Sequence, residues 1–125
     1  MKQISVFLEN RPGRLANLLK ILKENNIKVF AMGIAEAGNY GIVRLILDNP
    51  DRAIEVLRNM NMAVNKSEVI IVSIELLPEV SKVLGEAGIN IDYAYTMDGR
   101  KVVLKVSDEI KASEVLRNLG MEFIV

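Results

Sequence analysis

The 125-residue chain contains no cysteine and no histidine. The first absence excludes disulfide bonds, thiolate metal sites and cysteine nucleophiles, and the second removes the usual general base and the commonest zinc ligand. Carboxylate, lysine and tyrosine chemistry remains, but the acidic residues fall mostly beside helix starts, on helix faces or in turns. We therefore expect no catalytic residue, no metal site and no cofactor, and we predict that the protein is not an enzyme.

The chain also lacks net charge and long apolar segments. Sixteen basic residues balance sixteen acidic ones, and the basic residues are scattered, so nothing marks a nucleic-acid partner. No apolar run is long enough to span a bilayer, and the first residues lack the pattern of a signal peptide. These features predict a cytoplasmic protein that binds neither nucleic acid nor membrane.

What the sequence does contain is an internal repeat. The segment Glu55–Asn59 (EVLRN) recurs as Glu114–Asn118, and Leu22–Val29 (LKENNIKV) resembles Leu84–Ile91 (LGEAGINI). The two matches are 59 and 62 residues apart, so a hairpin between them is three residues shorter in the second copy. We predict two domains of one kind, residues 1–66 and 67–125.

Hydrophobic periodicity gives the same order of elements in both copies. A run of alternating apolar and polar residues, or a short apolar run, indicates a strand. Apolar residues spaced three and four apart indicate one face of a helix. In copy one we predict strands over 4–8, 29–36, 42–47 and 62–64 and helices over 14–25 and 50–60. In copy two we predict strands over 69–74, 89–97, 101–106 and 121–125 and helices over 78–87 and 109–119.

This βαββαβ order predicts an α+β fold. With right-handed crossovers, each copy forms a ferredoxin-like, four-stranded antiparallel sheet with both helices on one face. Strands such as Val69–Val72 are apolar on both faces, although a sheet with one wet face should alternate. We therefore expect the two sheets to pair side by side and the chain to form a homodimer, while a few tolerated surface apolar residues are the simpler alternative.

The first strand-to-helix loop, Glu9–Gly13, carries the main functional signal. A helix start leaves free backbone N–H groups with a partial positive charge, and Gly13 lets a ligand approach the main chain. This pattern favours binding of a small anionic ligand. The alternative is an ordinary Pro-Gly turn in which Asn10 bonds its own backbone.

The loop pattern N-x-P-G-x-L (Asn10, Pro12, Gly13, Leu15) within a βαββαβ unit resembles the ACT domain, a family of regulatory modules that typically sense amino acids. Two tandem copies resemble the stand-alone tandem ACT proteins, and the string E-N-R-P-G is similar to the serine-sensing domain of bacterial phosphoglycerate dehydrogenase. The resemblance implies a small-molecule ligand, most simply an amino acid, held between paired domains. It also implies a metabolic enzyme as a regulated partner.

Carried onto this sequence, the resemblance places ligand contacts at the first loop and at the helix-to-strand turn of the other copy, which is Asn90. We expect Asn10 and Asn90 to hold the zwitterion and main-chain groups after Pro12 to bind the carboxylate. The predicted ligand-binding set is Asn10, Arg11, Pro12, Gly13, Leu15, Asn90, Asp92, Ala94 and Tyr95.

Departures from the family pattern predict that only one of the two pseudo-symmetric sites is competent. The dehydrogenase-like loop has a histidine where this chain has Leu8, and Lys28 replaces the turn asparagine in copy one. The second loop, 75–80, lacks the glycine. The intact loop therefore lies in copy one and the intact turn in copy two, and Leu8 with the apolar strands favours an aliphatic side chain on the ligand.

Three other functions are alternatives to amino-acid binding. The sheet could bind RNA, but Tyr93 and Tyr95 are the only close aromatic pair. An enzyme using Tyr95 or Asp92 would lack an evident partner base. A module that binds no ligand and regulates an amino-acid metabolic enzyme by protein contact is the strongest alternative.

Overall fold

The computed structural model describes all 125 residues, and they form two compact units, Lys2–Ser67 and Glu68–Val125 together with Met1. The first unit contains β1 (Lys2–Glu9), α1 (Arg14–Glu24), β2 (Val29–Ala37), β3 (Tyr40–Leu47), α2 (Pro50–Asn59) and β4 (Ala63–Glu68). The second contains β5 (Ile70–Ser73), α3 (Leu77–Glu86), β6 (Ile91–Met97), β7 (Lys101–Val106) and α4 (Glu109–Asn118). None of the helices is long and apolar enough to cross a membrane.

The first unit has a four-stranded sheet with the order β2-β3-β1-β4. β3 lies antiparallel between β1 and β2, with Val43 opposite both Val6 and Ile34. Residues Gly38 and Asn39 connect β2 to β3, and the positive φ of Gly38 (66°) permits this tight turn. The predicted ferredoxin-like fold is confirmed in this unit.

The second unit has a three-stranded sheet with the order β5-β7-β6. The predicted strand over 121–125 is wrong: only Ile124 forms a bridge, and its partner is Ile71. The strand that it would pair with, β5, has only four residues, whereas β1 has eight. β5 is short because the chain enters a 3-10 turn at Ile74. A short strand offers fewer backbone partners at its edge.

The strand β4 departs from its prediction in the opposite direction. It spans Ala63–Glu68 and includes Asn65 and Lys66, whereas the sequence indicated only 62–64. Its polar residues carry little strand propensity, but pairing at the edge of β1 satisfies their backbone groups. Tertiary pairing therefore extended a strand that local composition did not indicate.

Each unit has its own hydrophobic core between the sheet and its two helices. The strands supply alternate residues and the helices one stripe each, as the periodicity predicts. The first core is built on Ile4, Val6, Leu18, Leu22, Val43, Leu45, Ala53 and Leu57. The second is built on Ile70, Val72, Val80, Leu84, Val102, Leu104, Ala112 and Leu116.

Some side chains on the opposite face of each sheet, away from the helices, are also buried. Ile46 in β3, Ile71 in β5 and Val103 in β7 are all buried, although none belongs to either core. Their burial agrees with the prediction that these strands are apolar on both faces.

Side chains cap two of the four helices, α2 and α4. Asn49 caps α2 by accepting a hydrogen bond from the Arg52 N–H at 3.2 Å, and Asp108 caps α4 from the Lys111 N–H at 3.0 Å. We expect Asn49→Ala to lower the free energy of unfolding by about 1 kcal/mol, measured by urea denaturation. Asn49→Gly should cost only a few tenths of that amount, and equal losses in both variants would contradict the capping role.

Candidate functional site

The loop between β1 and α1 is an ordered, exposed turn that presents the start of α1. Gly13 takes a φ of 85° at the helix N-cap, and no side chain caps the helix. The Arg14 N–H donates to the Arg11 carbonyl at 3.4 Å, and the Asn17 N–H donates to the Gly13 carbonyl at 3.0 Å. The N–H groups of Leu15 and Ala16 have no acceptor, so they remain available to an anion.

Asn10 fastens this loop to the tip of the β2–β3 hairpin. Its backbone N–H donates to the Asn39 carbonyl at 2.8 Å, and its side-chain Nδ2 donates to the Gly38 carbonyl at 3.3 Å. The amide is thereby oriented with its Oδ1 unused, and this oxygen can accept from an ammonium group. Asn10 therefore bonds the backbone of the hairpin tip and not that of its own loop, which was the alternative weighed from sequence.

The two arginines of the loop are held by one carboxylate. Glu9 receives Arg11 Nε at 3.4 Å on one oxygen and an Arg14 Nη at 3.5 Å on the other. All three side chains are solvent-exposed, so each contact contributes at most about 1 kcal/mol. Arg11 is therefore already partnered and is not poised as a clamp for a ligand carboxylate.

Two clefts border the loop, and Arg11 lines both of them. A cleft of about 490 Å³ is lined by Glu9, Asn10, Arg11, Gly38, Asn39 and Tyr40. A second, of about 500 Å³, is lined by Arg11, Pro12, Gly13, Arg14 and Asn17. Sequence reasoning missed Asn39, Tyr40 and Asn17, although the antiparallel order of β1 and β3 could have placed the hairpin tip beside Asn10.

Leu15 lies apart from these exposed groups. Its side chain is partly buried and packs against the first core. Its backbone N–H, by contrast, is one of the two unpaired amides at the start of α1. Any ligand contact of Leu15 in this geometry is made by the main chain.

Two of the four predicted residues in the second unit, Asn90 and Asp92, form a polar group. Asn90 Nδ2 donates to Asp92 Oδ1 at 2.9 Å, and Lys105 Nζ lies 3.8 Å from the other Asp92 oxygen. Ala94 is opposite Leu104 and so faces the helix side of the sheet, whereas Tyr95 is opposite Val103 on the other face. The structure therefore brings Asn90 and Asp92 together, but Ala94 and Tyr95 point to different sides.

The turn that holds Asn90 is built like the corresponding turn of the first unit. The Asn90 N–H donates to Ser107 Oγ and the Ser107 N–H to the Asn90 carbonyl, both at 2.9 Å. In the first unit the Lys28 N–H donates to Asp48 Oδ1 at 2.9 Å, and the Asp48 N–H returns to Lys28 at 3.1 Å. The repeat thus extends to backbone hydrogen bonding, while the exposed side chain (lysine or asparagine) and the accepting side chain (aspartate or serine) differ.

Strand register shows why the two loops differ. Val6 of β1 pairs with Val43, and Val72 of β5 pairs with Val102. Because Val43 and Val102 hold matching core positions, β1 and β5 correspond at a spacing of 66 residues. The helices correspond at 62, because Leu22 and Leu84 occupy matching core positions. The second loop is four residues shorter, and since Glu75 matches Glu9, the segment absent from it corresponds to Asn10–Gly13.

In the second unit the short loop is closed by Glu75 itself. Its carboxylate accepts from Ser73 Oγ and from Arg100 Nε, each at 2.5 Å. The Ser73 hydrogen bond, followed by the Arg100 hydrogen bond, lowers the pKa of Glu75 from 4.5 to about 2. In the second unit, therefore, the carboxylate at the end of the strand is hydrogen-bonded within the chain. In the first unit, the corresponding loop has unpaired N–H groups.

The hydrogen bonds of Glu75 give a pH-dependence that can be measured. A lowered pKa in the folded state means that the stabilisation is complete above pH 4.5 and is lost as the pH falls from 4.5 to about 2. We expect an NMR titration of the Glu75 carboxyl to have its midpoint near 2, and Ser73→Ala and Arg100→Gln each to raise it towards 4.5. A midpoint that moves in neither variant would contradict the assigned cause.

The fold is a tandem of two ferredoxin-like modules. A family model described as "ACT domain pair" matches residues 1–125. The chain belongs to this family, as its sequence resemblance predicted.

Solved structures agree with this assignment. Protein BT0572 from Bacteroides thetaiotaomicron is 34% identical, with a TM-score of 0.90 over 98% of this chain and 90% of that one. The regulatory subunit of aspartate kinase from Thermus thermophilus, in its ligand-free form, is 17% identical, with a TM-score of 0.68 over 95% and 90% of the two chains. At that identity the second likeness shows the fold alone. A comparison with curated proteins gave no match.

Proposed function

We propose that this protein is a non-catalytic regulatory sensor that binds a free amino acid at the loop Asn10–Gly13. The observation that carries the proposal is the pair of unpaired N–H groups, on Leu15 and Ala16, at the start of α1 beside a left-handed Gly13. Membership of the ACT domain pair family and the fold shared with a kinase regulatory subunit support it. We place this activity in the cytoplasm, as the sequence predicts.

The proposed binding mode follows from the charges of the loop. The α-carboxylate accepts from the Leu15 and Ala16 N–H groups, where the helix dipole favours an anion. The α-ammonium donates to Asn10 Oδ1, which the Gly38 contact leaves available. Each charge-assisted hydrogen bond contributes about 1.5–3 kcal/mol. This arrangement recognises the α-amino-acid group and leaves the ligand side chain to select among amino acids.

Asn90 is the second residue that we propose to contact the ligand. The family resemblance pairs an asparagine at the helix-to-strand turn with the strand-to-helix loop. Its side chain donates to Asp92, so the amide oxygen and the Asp92 carboxylate form one polar group that suits an ammonium. The first loop and this turn are therefore tested as two separate positions. Lys28 and the closed Glu75 loop, the remaining pair, are not proposed to bind.

A thermal-shift screen against the twenty amino acids tests the proposal. A ligand that binds only the folded chain must raise the melting temperature, and Asn10→Ala and Asn90→Ala should each reduce that shift. Thr96→Ala, an exposed substitution elsewhere on β6, serves as the control. If no amino acid stabilises the wild type at millimolar concentration, the alternative of a ligand-free module that regulates a metabolic enzyme replaces this proposal.

A further inference from the structure

The C-terminal segment, residues 121–125, lies beside β5 but pairs with it at one point only. Ile71 and Ile124 exchange two backbone hydrogen bonds, of 2.9 and 2.8 Å. In a regular antiparallel ladder the next hydrogen-bonded pair would be Ser73 with Glu122. Neither bond of that pair forms, and the N–H groups of Ser73 and Glu122 have no acceptor in the chain. The edge of the second sheet is therefore open beyond Ile71.

A cleft of about 470 Å³ occupies this opening. Val72 and Phe123, which line it, pack in the second core on the helix side of the sheet. Ile71 and Lys101, which also line it, project from the other face, because successive residues of a strand alternate between faces. The lining thus comes from both faces, so the cleft lies between β5 and the C-terminal segment. Its volume and its mostly apolar lining are typical of small-molecule sites.

The wall formed by the C-terminal segment is anchored on both sides of the cleft. The Met121 N–H donates to the Leu116 carbonyl at 3.0 Å, and Ile124 is bonded to β5. Between them, the Phe123 ring packs against the second core, with the Arg117 guanidinium carbon 5.8 Å from the ring centroid. The opening is therefore held by the fold on both of its sides.

The cleft carries one unpaired charge of each sign. Lys101 and Glu122 both line it and are exposed, and neither forms an ion pair. Ser73 lies opposite Lys101 in the register of β5 with β7, so its free N–H is a third polar group at the same place. A small molecule with both a carboxylate and an ammonium group matches these charges.

We propose that this cleft is a second ligand site, which binds a free amino acid with an apolar side chain. The carboxylate accepts from Lys101 Nζ and from the Ser73 N–H, and the ammonium donates to the Glu122 carboxylate. The ligand side chain lies against Ile71 and Phe123. The site is formed within the second unit and uses no residue of the loop at 10–13, so it does not depend on the proposed sensor site.

Leucine is the probe, and NMR titration locates where it binds. In the wild type and in Asn10→Ala, which weakens the proposed loop site, we expect leucine to shift the amide resonances of Ser73, Glu122 and Phe123. Shifts confined to residues 10–16 would overturn this proposal and support the loop. Shifts confined to the cleft would support this proposal and count against the loop. Leucine that shifts neither set would overturn the cleft site.

Neutralising each charge tests the assigned contacts. Lys101→Met and Glu122→Gln should each raise the dissociation constant of leucine at the cleft about tenfold, the effect of losing one charge-assisted hydrogen bond. Lys82→Met and Glu114→Gln remove exposed charges of α3 and α4 that form no ion pair, so they should leave it unchanged. Equal losses in these control variants would contradict the proposal.

Two analogues of leucine assign each charge to its partner. The wild type should bind 4-methylpentanoate, which lacks the ammonium, and 3-methylbutylamine, which lacks the carboxylate, about tenfold more weakly than leucine. Glu122→Gln should bind leucine and 4-methylpentanoate alike, and Lys101→Met should bind leucine and 3-methylbutylamine alike. A wild type that binds either analogue as tightly as leucine would overturn the proposed recognition of both charges.

Discussion

Gly13→Val is expected to abolish the stabilisation of this protein by the proposed amino-acid ligand. At a ligand concentration one hundred times the Kd, binding to the wild type raises the free energy of unfolding by about 2.7 kcal/mol. In the variant that increment should fall to nearly zero. The measurement is the ligand-dependent shift in melting temperature, checked by titration calorimetry.

The reason is the backbone conformation of Gly13. A φ of 85° is accessible to glycine but strained for a β-branched residue, at a cost of about 1–3 kcal/mol. The added Cβ meets no atom within 4 Å, so no clash disturbs the rest of the unit. We therefore expect the loop itself to rotate and relieve the strain, which would move the Leu15 and Ala16 N–H groups away from the proposed carboxylate position.

A matched glycine separates loss of binding from loss of stability. Gly120 has a φ of 69°, and a Cβ added there would also meet no atom within 4 Å, but this glycine follows α4 in the second unit. Gly120→Val should therefore lower the unliganded melting temperature as much as Gly13→Val does and keep the ligand response. If Gly13→Val binds as well as the wild type, the loop is not the carboxylate site.

Leu45→Ala and Leu104→Ala are expected to be the most destabilising truncations of their respective sheets. Both leucines have no exposed surface and stand at equivalent positions of the central strands β3 and β7. Removing such a side chain costs about 2–5 kcal/mol, from lost burial and from the cavity that remains. Urea denaturation measures the loss in each case.

Hydrogen exchange can assign each loss to its own unit. The two cores share no residue, so Leu45→Ala should lower protection of amides in β1 and β3, and Leu104→Ala in β5 and β7. Leu45→Met, which nearly conserves volume, is the control and should cost less than about 1.5 kcal/mol. A Leu45→Ala variant as stable as the control would show that this position is not a core site.

Most of the fold could be predicted because its signals are local. The helix stripes, the Asn49 cap before Pro50 and the Gly38 turn specify elements within a few residues of themselves. The repeat then identified both copies as one unit. The errors occurred where pairing partners decide the outcome: β4 is longer than its composition indicates, and the last predicted strand is reduced to a single bridge.

The candidate site was predicted only in part for the same reason. Asn10 and Gly13 could be identified because the loop motif is contiguous. Tyr40 and Asn39 were not identified, because they reach the loop through the register of β1 with β3 and not through a contiguous motif. The opposite orientations of Ala94 and Tyr95 likewise depend on which residues of β7 they face.

The sequence by itself determined the duplicated βαββαβ order, the absence of cysteine and histidine chemistry, and the one loop that retains Asn10–Gly13. These are properties of residue identity and of spacing along the chain. Only the tertiary structure decided that Asn10 is clasped to the hairpin tip, that Glu75 closes the second loop, and that the edge of the second sheet is open beyond Ile71. Each of those depends on hydrogen bonds or strand order between segments that are distant in sequence, and no local pattern encodes them.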